Sequence, residues 1–360
     1  MDLSNNLYNK QPTKQINKFI KNLYNKLQKG HKVLNNTQIN IINTILGARV
    51  ENKWIPSQIN EFISNHHGNT YKVTASISSR NITIFFVCYD NTDKETILYY
   101  SNYIFLVIYL LTTGKTICSK NLTIKLYLTP FTKKSPDNYK NPLGINEINT
   151  GFSNIGCKQY SDITIYRKEE WFKVLIHELF HNLNLDFATV NINYAREKLH
   201  ELLNLNIKYD INETYAETWA RLLLIGIVSD IKSSNYNDFN KHYIKILSNE
   251  IIFSIMQATK VLKHVNVMNK YKEYKENTHA YAYYVFTAAL MNNYLDFIKW
   301  CYNNNENLFF FIKKDSNVKS FTDLIISSLN NESLQKKLTY LYFHNKTPNK
   351  TMRMTNIDIF

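Results

Sequence analysis

Two histidines and a glutamate fall at the spacing HExxH in the run Ile176-His177-Glu178-Leu179-Phe180-His181. On a helix, residues four apart stand one turn above each other, so both imidazoles can reach a single zinc ion at about 2.0–2.1 Å. Glu178, next to the first histidine, can then serve as a base toward a water held at that ion. Shuffling a chain with this many histidines and glutamates produces HExxH about 0.01 times, so the spacing is informative and its context must decide. Across residues 169–183 the apolar positions are Trp171, Phe172, Val174, Leu175, Ile176, Leu179, Phe180 and Leu183, leaving Lys173, His177, Glu178 and His181 as a polar stripe. A surface helix is polar around most of its circumference, whereas this one presents polarity only where a cleft would lie.

Two histidines leave such a site incomplete, because a catalytic zinc takes three protein ligands and keeps one position for water. The extended spacing HExxHxxGxxH would require Gly at 184 and His or Asp at 187, where the chain has Asn184 and Phe187. Asp186, one position off, is a weak alternative ligand. The stronger candidate is Asn212-Glu213-Thr214-Tyr215-Ala216-Glu217, at the start of an apolar helix expected over residues 215–228. Glu213, Glu217 and Arg221 also repeat every four residues, so they could instead pair with one another along a solvated stripe.

Over residues 169–221 the chain resembles the gluzincin zinc metallopeptidases, in which a second helix carries NE followed by an acidic residue one turn on. The resemblance implies one Zn2+ held by His177, His181 and Glu213, with Glu217 accepting a hydrogen bond from a ligating histidine and Glu178 as general base. It implies a peptide or protein substrate, bound along an edge strand that residues 151–156 could supply; a buried or paired strand is the ordinary alternative there. It also implies an oxyanion donor from the helical half. Residues 278–284 (THAYAYY) offer four aromatic choices, of which Tyr284 ranks first, then His279 and Tyr281. Together with GFSNIG, ITIYRKEEWFKVLIHELFHNL, NETYAETWA and HAYAYYVF, the ensemble is similar to predicted metallopeptidases of large DNA viruses.

The elements that would position these residues form an expected α+β fold, zincin-like by resemblance. Residues 1–68 read as an N-terminal helical segment, with Ile39, Ile42, Ile45 and Leu46 as its apolar stripe. Residues 69–185 read as an α/β subdomain with a mixed β-sheet: strands near 71–77, 81–89, 122–128, 151–155 and 163–167, a long helix over 93–112, then the HExxH helix. Residues 186–343 read as all-helical and carry the third ligand, with the motif helix at the cleft between the halves. Residues 344–360 read as a flexible basic tail.

Composition bounds the alternatives. The net charge is +14, but only six of the 43 basic residues are arginine. Arginine dominates bidentate recognition of phosphates and bases, so no dedicated nucleic-acid function is expected. The four cysteines, Cys88, Cys118, Cys157 and Cys301, form no CxxC, which argues against a disulfide framework and against a cysteine zinc site. A reducing, cytoplasmic compartment is the expectation, either host cytoplasm or virion if the viral resemblance holds, and no signal peptide is visible at the N-terminus. The longest apolar run, residues 103–111, falls short of the roughly 18–20 residues that span a bilayer. Nothing in the sequence indicates an oligomeric state. The competing reading is a non-catalytic basic structural or host-interaction protein with a vestigial or structural metal site. Structural zinc, however, is held by four ligands that often include cysteine, and none lies near the motif.

Overall fold

The computed structural model describes residues 14–46, 52–112, 118–136, 138, 141–269, 274–306, 313–344 and 350–359. Among them one mixed six-stranded sheet and eleven α-helices make an α+β fold. The strands β1 (Asn40–Thr44), β2 (Asn69–Ile77), β3 (Arg80–Cys88), β4 (Asn121–Leu128), β5 (Gly151–Ser153) and β6 (Tyr160–Ile165) lie in the order β1-β2-β3-β4-β6-β5. β3, β4 and β6 run parallel; the other pairings are antiparallel. Ser78 and Ser79, both at positive φ, turn β2 directly into β3, as a two-residue hairpin requires.

Side-chain alternation assigns the two faces of the sheet. Ile82, Ile84, Phe86 and Cys88 of β3 and Leu122, Ile124, Leu126 and Leu128 of β4 enter the main core. That core is shared with the apolar helix α3 (Lys94–Thr112), which carries the chain from β3 to the parallel β4, and with α4 (Trp171–Asn182). Val87 and Tyr127 point the other way, into a smaller core with Tyr166 and with Ile55, Ile59 and Ile63 beside or on α2 (Ser57–Asn65).

After β6 every described element is helical. α4 is followed by α5 (Asn193–Leu203), α6 (Ile211–Ile231) and α7 (Tyr236–Asn269), then by a π-helical turn at Ala282–Phe286 that leads into α8 (Thr287–Asn292). α9 (Tyr294–Asn304), α10 (Asp315–Leu329) and α11 (Glu332–His344) complete the set. α4 is buried along its whole length and α6 nearly so, which explains why both are apolar over most of their circumference, apart from the polar stripe each turns to the other. They pack on each other, with the Phe180 and Trp219 rings stacked at 6.3 Å.

Several expectations are corrected. Residues 40–44 form edge strand β1, not part of a helix, and leave Ile42 and Ile45 exposed. The β-branched run pairs its backbone with β2, and that tertiary pairing overrides a weak helical period. In the same N-terminal stretch α1 (Lys14–Leu34) packs against α3, α6, α7 and α9; residues 1–13 and 47–51 lie outside the described residues. Residues 350–359 are no flexible end: Met352, Met354 and Thr355 are buried and Thr351 bridges to Lys134. Residues 345–349 of that expected tail lie outside the described residues. Cys118 and Cys157, 39 residues apart, are joined as a disulfide, so the reducing compartment inferred from cysteine spacing loses its premise. Among the described residues no helix is long and apolar enough to cross a membrane.

Candidate metal centre

Two helices running past each other in opposite senses build the site. Lys173, His177 and His181 occupy successive turns of α4 and face Glu217 and Glu213 on successive turns of α6. Lys173 pairs with Glu217, His177 stands between Glu217 and Glu213, and His181 meets Glu213. Each contact repeats a four-residue step on both helices, so the register of the α4–α6 packing decides which carboxylate meets which ring.

His177, His181 and Glu213 are brought together as a buried group that could hold a metal ion. The two Nε2 atoms lie 2.9 Å apart, and each is 3.2 Å from Oε2 of Glu213. Donors around a tetrahedral ion at about 2.0–2.1 Å stand roughly 3.3–3.4 Å from one another, close to this triangle. The opposite ring atoms reinforce the fit. Nδ1 of His177 lies 3.2 Å from Oε2 of Glu217, and Nδ1 of His181 is hydrogen-bonded to Oδ2 of Asp186. Carboxylates at both Nδ1 positions favour the tautomer that carries its proton there, which turns two Nε2 lone pairs and a carboxylate oxygen toward one point. Three such converging acceptors could hold a cation.

The electrostatics agree. Burial opposes ionisation of Glu213, yet the facing His181 and His177 rings hold its carboxyl well below the ordinary value. Burial likewise opposes ionisation of Glu217, but Lys173, His177 and Arg221 keep it strongly acidic. In both histidines burial lowers the imidazole pKa, and the facing carboxylates more than reverse that: His177 is raised, and His181 is raised well above its usual value.

Glu178 lines the same small space as His177 and is turned toward the sheet edge. Ser153 of β5 donates from Oγ to its Oε2 at 2.6 Å. Among the described residues β5 is an edge strand, paired on one side with β6. Gly151 allows it to sit close: a Cβ there would lie 2.5 Å from Cδ1 of Ile165 and 2.9 Å from the Thr164 carbonyl oxygen. Arg167 lies in the short link between β6 and α4. It is buried, and its guanidinium donates to the carbonyls of Asn149, Thr132 and Asn146, pinning the loop that leads into β5.

The aromatic segment differs most from the sequence reading. Tyr284, the first choice as oxyanion donor, turns away from the triad and donates to the Met352 carbonyl at 2.5 Å. Tyr281 packs against Phe286 and lines a separate cavity with Leu202 and Leu338. The residue facing the site is Tyr283, whose ring is 5.6 Å from that of His177 and which lies near the Glu213 and Glu178 carboxylates. Burial and those carboxylates raise its pKa well above the ordinary phenol value, so it remains a proton donor. His279 stands at the rim, its ring 5.9 Å from Tyr283 and its Nδ1 3.2 Å from Asp210.

Sequence reasoning also missed Ser153 and the support that Asp186 gives His181. Asp186 carried a signal, since it follows the motif helix five residues after His181; Ser153 carried none. Glu217, Lys173 and Arg221 form a buried cluster, not a solvated stripe.

A space of about 30 Å³ lies between β5 and the triad, lined by Thr150, Gly151, Val174, Glu178, Tyr283 and Met354 among others. It has room for one or two waters. No protein family, curated protein or solved structure matches the chain.

Proposed function

We propose that the protein is a zinc-dependent metallopeptidase with a gluzincin-like site on a zincin-like fold, α4 lying at the cleft between the sheet and the helical half. The observation that carries this reading is the convergence of His177 Nε2, His181 Nε2 and Glu213 Oε2, with a carboxylate behind each imidazole and Glu178 beside them facing an edge strand. Catalytic zinc sites use this ligand type and number, and no cysteine joins the cluster. A bound zinc supplies Lewis acidity, acidifying water and polarising a carbonyl. Glu178, oriented by Ser153, takes a proton from that water and returns it to the leaving amine. Tyr283, in place of Tyr284, donates to the developing oxyanion. The open side of β5 receives an extended peptide by strand addition.

Zinc content and peptide hydrolysis test the reading in wild type, Glu178→Gln and Glu213→Ala. Wild type is expected to hold one zinc and cleave peptides. Glu178→Gln keeps the zinc and loses cleavage; Glu213→Ala loses both. A wild-type protein that stays free of zinc after metal-controlled purification overturns the proposal, and a Glu213→Ala variant with stoichiometric zinc overturns the ligand set.

The burial of the whole triad favours a second reading, a non-catalytic metal site that stabilises the α4–α6 pair. It predicts stoichiometric zinc, a fall in Tm on chelation, and no hydrolysis of any peptide.

A further inference from the structure

The space beside Glu178 is small, and one of the side chains that wall it comes from the far end of the sequence. Met354 lines it together with Gly151, Val174 and Tyr283, and its Sδ lies 3.2 Å from Nζ of Lys173. The segment that carries Met354 is anchored on both sides. Before it, the Met352 amide donates to the Lys133 carbonyl at 3.0 Å, and Gln257 donates to the Arg353 carbonyl. After it, the amides of Met354 and Thr355 donate to Oε1 of Glu170 at 2.7 and 2.6 Å, and the Asn356 amide donates to Oε2 of Glu250 at 3.0 Å. Glu170 is itself buried and paired with buried Lys133. Lifting the segment would strip a buried carboxylate of two amide donors, so the segment is a fixed wall and not a lid.

We propose that Met354 sets substrate size at this site: the pocket between β5 and α4 accepts only a small side chain, that of glycine, alanine or serine, at the residue seated beside Glu178. The inference rests on the metallopeptidase reading for its substrate class. The pocket volume itself is a property of this chain. About 30 Å³ admits no isobutyl or benzyl group, whereas removing the Met354 thioether joins its volume to the pocket.

The test is calorimetric binding of glycine hydroxamate and leucine hydroxamate to the zinc-loaded full chain, with peptide hydrolysis measured separately. Wild type is expected to prefer glycine hydroxamate by at least roughly tenfold, since a pocket that is short of one methylene already discriminates by about 10–200-fold. In Met354→Ala the preference should collapse to within a few-fold, and Met354→Leu, which refills the volume, should restore it. Should the alanine variant fail to fold, Met354→Val provides the intermediate volume. Equal binding of the two hydroxamates to wild type overturns the inference, as does binding of neither, or a preference that survives Met354→Ala. Size discrimination by a protein that cleaves no peptide supports this inference and overturns the catalytic reading.

Discussion

The Glu217 carboxylate stands 3.2 Å from Nδ1 of His177 and, with its other contacts, ties that imidazole to two buried cations, Lys173 at 2.9 Å and Arg221 at 3.0 Å. One carboxylate therefore orients a candidate ligand and balances charge in the core. His181 has a simpler arrangement, in which Asp186 holds its Nδ1 from just beyond the end of α4.

These two supports separate metal affinity from folding. Glu217→Gln is expected to weaken zinc binding about 10–100-fold. It also leaves Lys173 and Arg221 buried without their carboxylate, at a cost of about 3–5 kcal/mol. Asp186→Asn is expected to weaken zinc binding comparably with a smaller loss of stability, because its side-chain oxygen can still accept from the Ala188 amide at 2.9 Å. Competition with a chelator gives the affinities, and urea unfolding of the metal-free proteins gives the stabilities. An unchanged zinc affinity in Glu217→Gln would remove Glu217 from the site.

Tyr283 and Tyr284 are adjacent in sequence and opposed in space, so they make a paired test. Tyr283→Phe should retain zinc and lower kcat about 10²–10³-fold with KM little changed. Tyr284→Phe should leave kcat near wild type and cost about 0.5–1.5 kcal/mol of stability, the net worth of its bond to the Met352 carbonyl. Loss of kcat in Tyr284→Phe but not in Tyr283→Phe would reverse the assignment.

On the zinc reading proposed above, zinc and protons compete for the same imidazoles. In the metal-free protein burial lowers the His181 pKa, but Glu213 and Asp186 raise it well above 6.5. The stability gained from its imidazolium is therefore complete below about pH 6.5 and is lost as pH rises through the raised folded-state value. Zinc requires the neutral ring, so its stabilisation grows in the same direction as that contribution disappears. The difference in Tm between zinc-loaded and chelator-treated protein should widen from pH 6 to pH 8. An equal difference at both values would rule out this competition.

Glu250 offers a test remote from the triad. Burial pushes its carboxyl up from 4.5 to about 7, and Arg221 and the Asn356 amide only partly oppose that. For a carboxyl raised on folding, stability is fullest below about pH 4.5 and falls as pH rises toward 7; ionising it in place costs about 3 kcal/mol. Glu250→Gln, which can still accept from the Asn356 amide, should raise Tm at pH 8 and leave it near wild type at pH 4.5. A destabilised glutamine variant at pH 8 would show that the ionised carboxylate is needed by Arg221 or by the C-terminal segment.

What could be read from the sequence is what repeats locally. The helix carrying His177 and His181, the helix carrying Glu213 and Glu217, strands β2, β3 and β4, and the long α3 each follow from a period of 3.6 or 2 within a single segment. The spacing of the motif places both imidazoles on one face whatever surrounds them. Where the reading went astray, the deciding contact was distant. β1 forms because β2 has an edge to pair with, and Cys118 meets Cys157 because the entry to β4 lies beside the segment between β5 and β6.

The sequence by itself therefore determined the two helices that carry the candidate ligands, their polar faces and the types of group they present. The tertiary structure alone decided the rest. It chose Tyr283 over Tyr284, because the π-helical turn and its packing fix which ring meets His177. It placed Asp186 behind His181, and it drew Met354 into the pocket across 184 residues of chain through the Glu170 carboxylate. Helical periodicity is a property of the backbone and can be read over one or two turns. The register between packed elements depends on summed contacts from many segments, and no single stretch of sequence contains it.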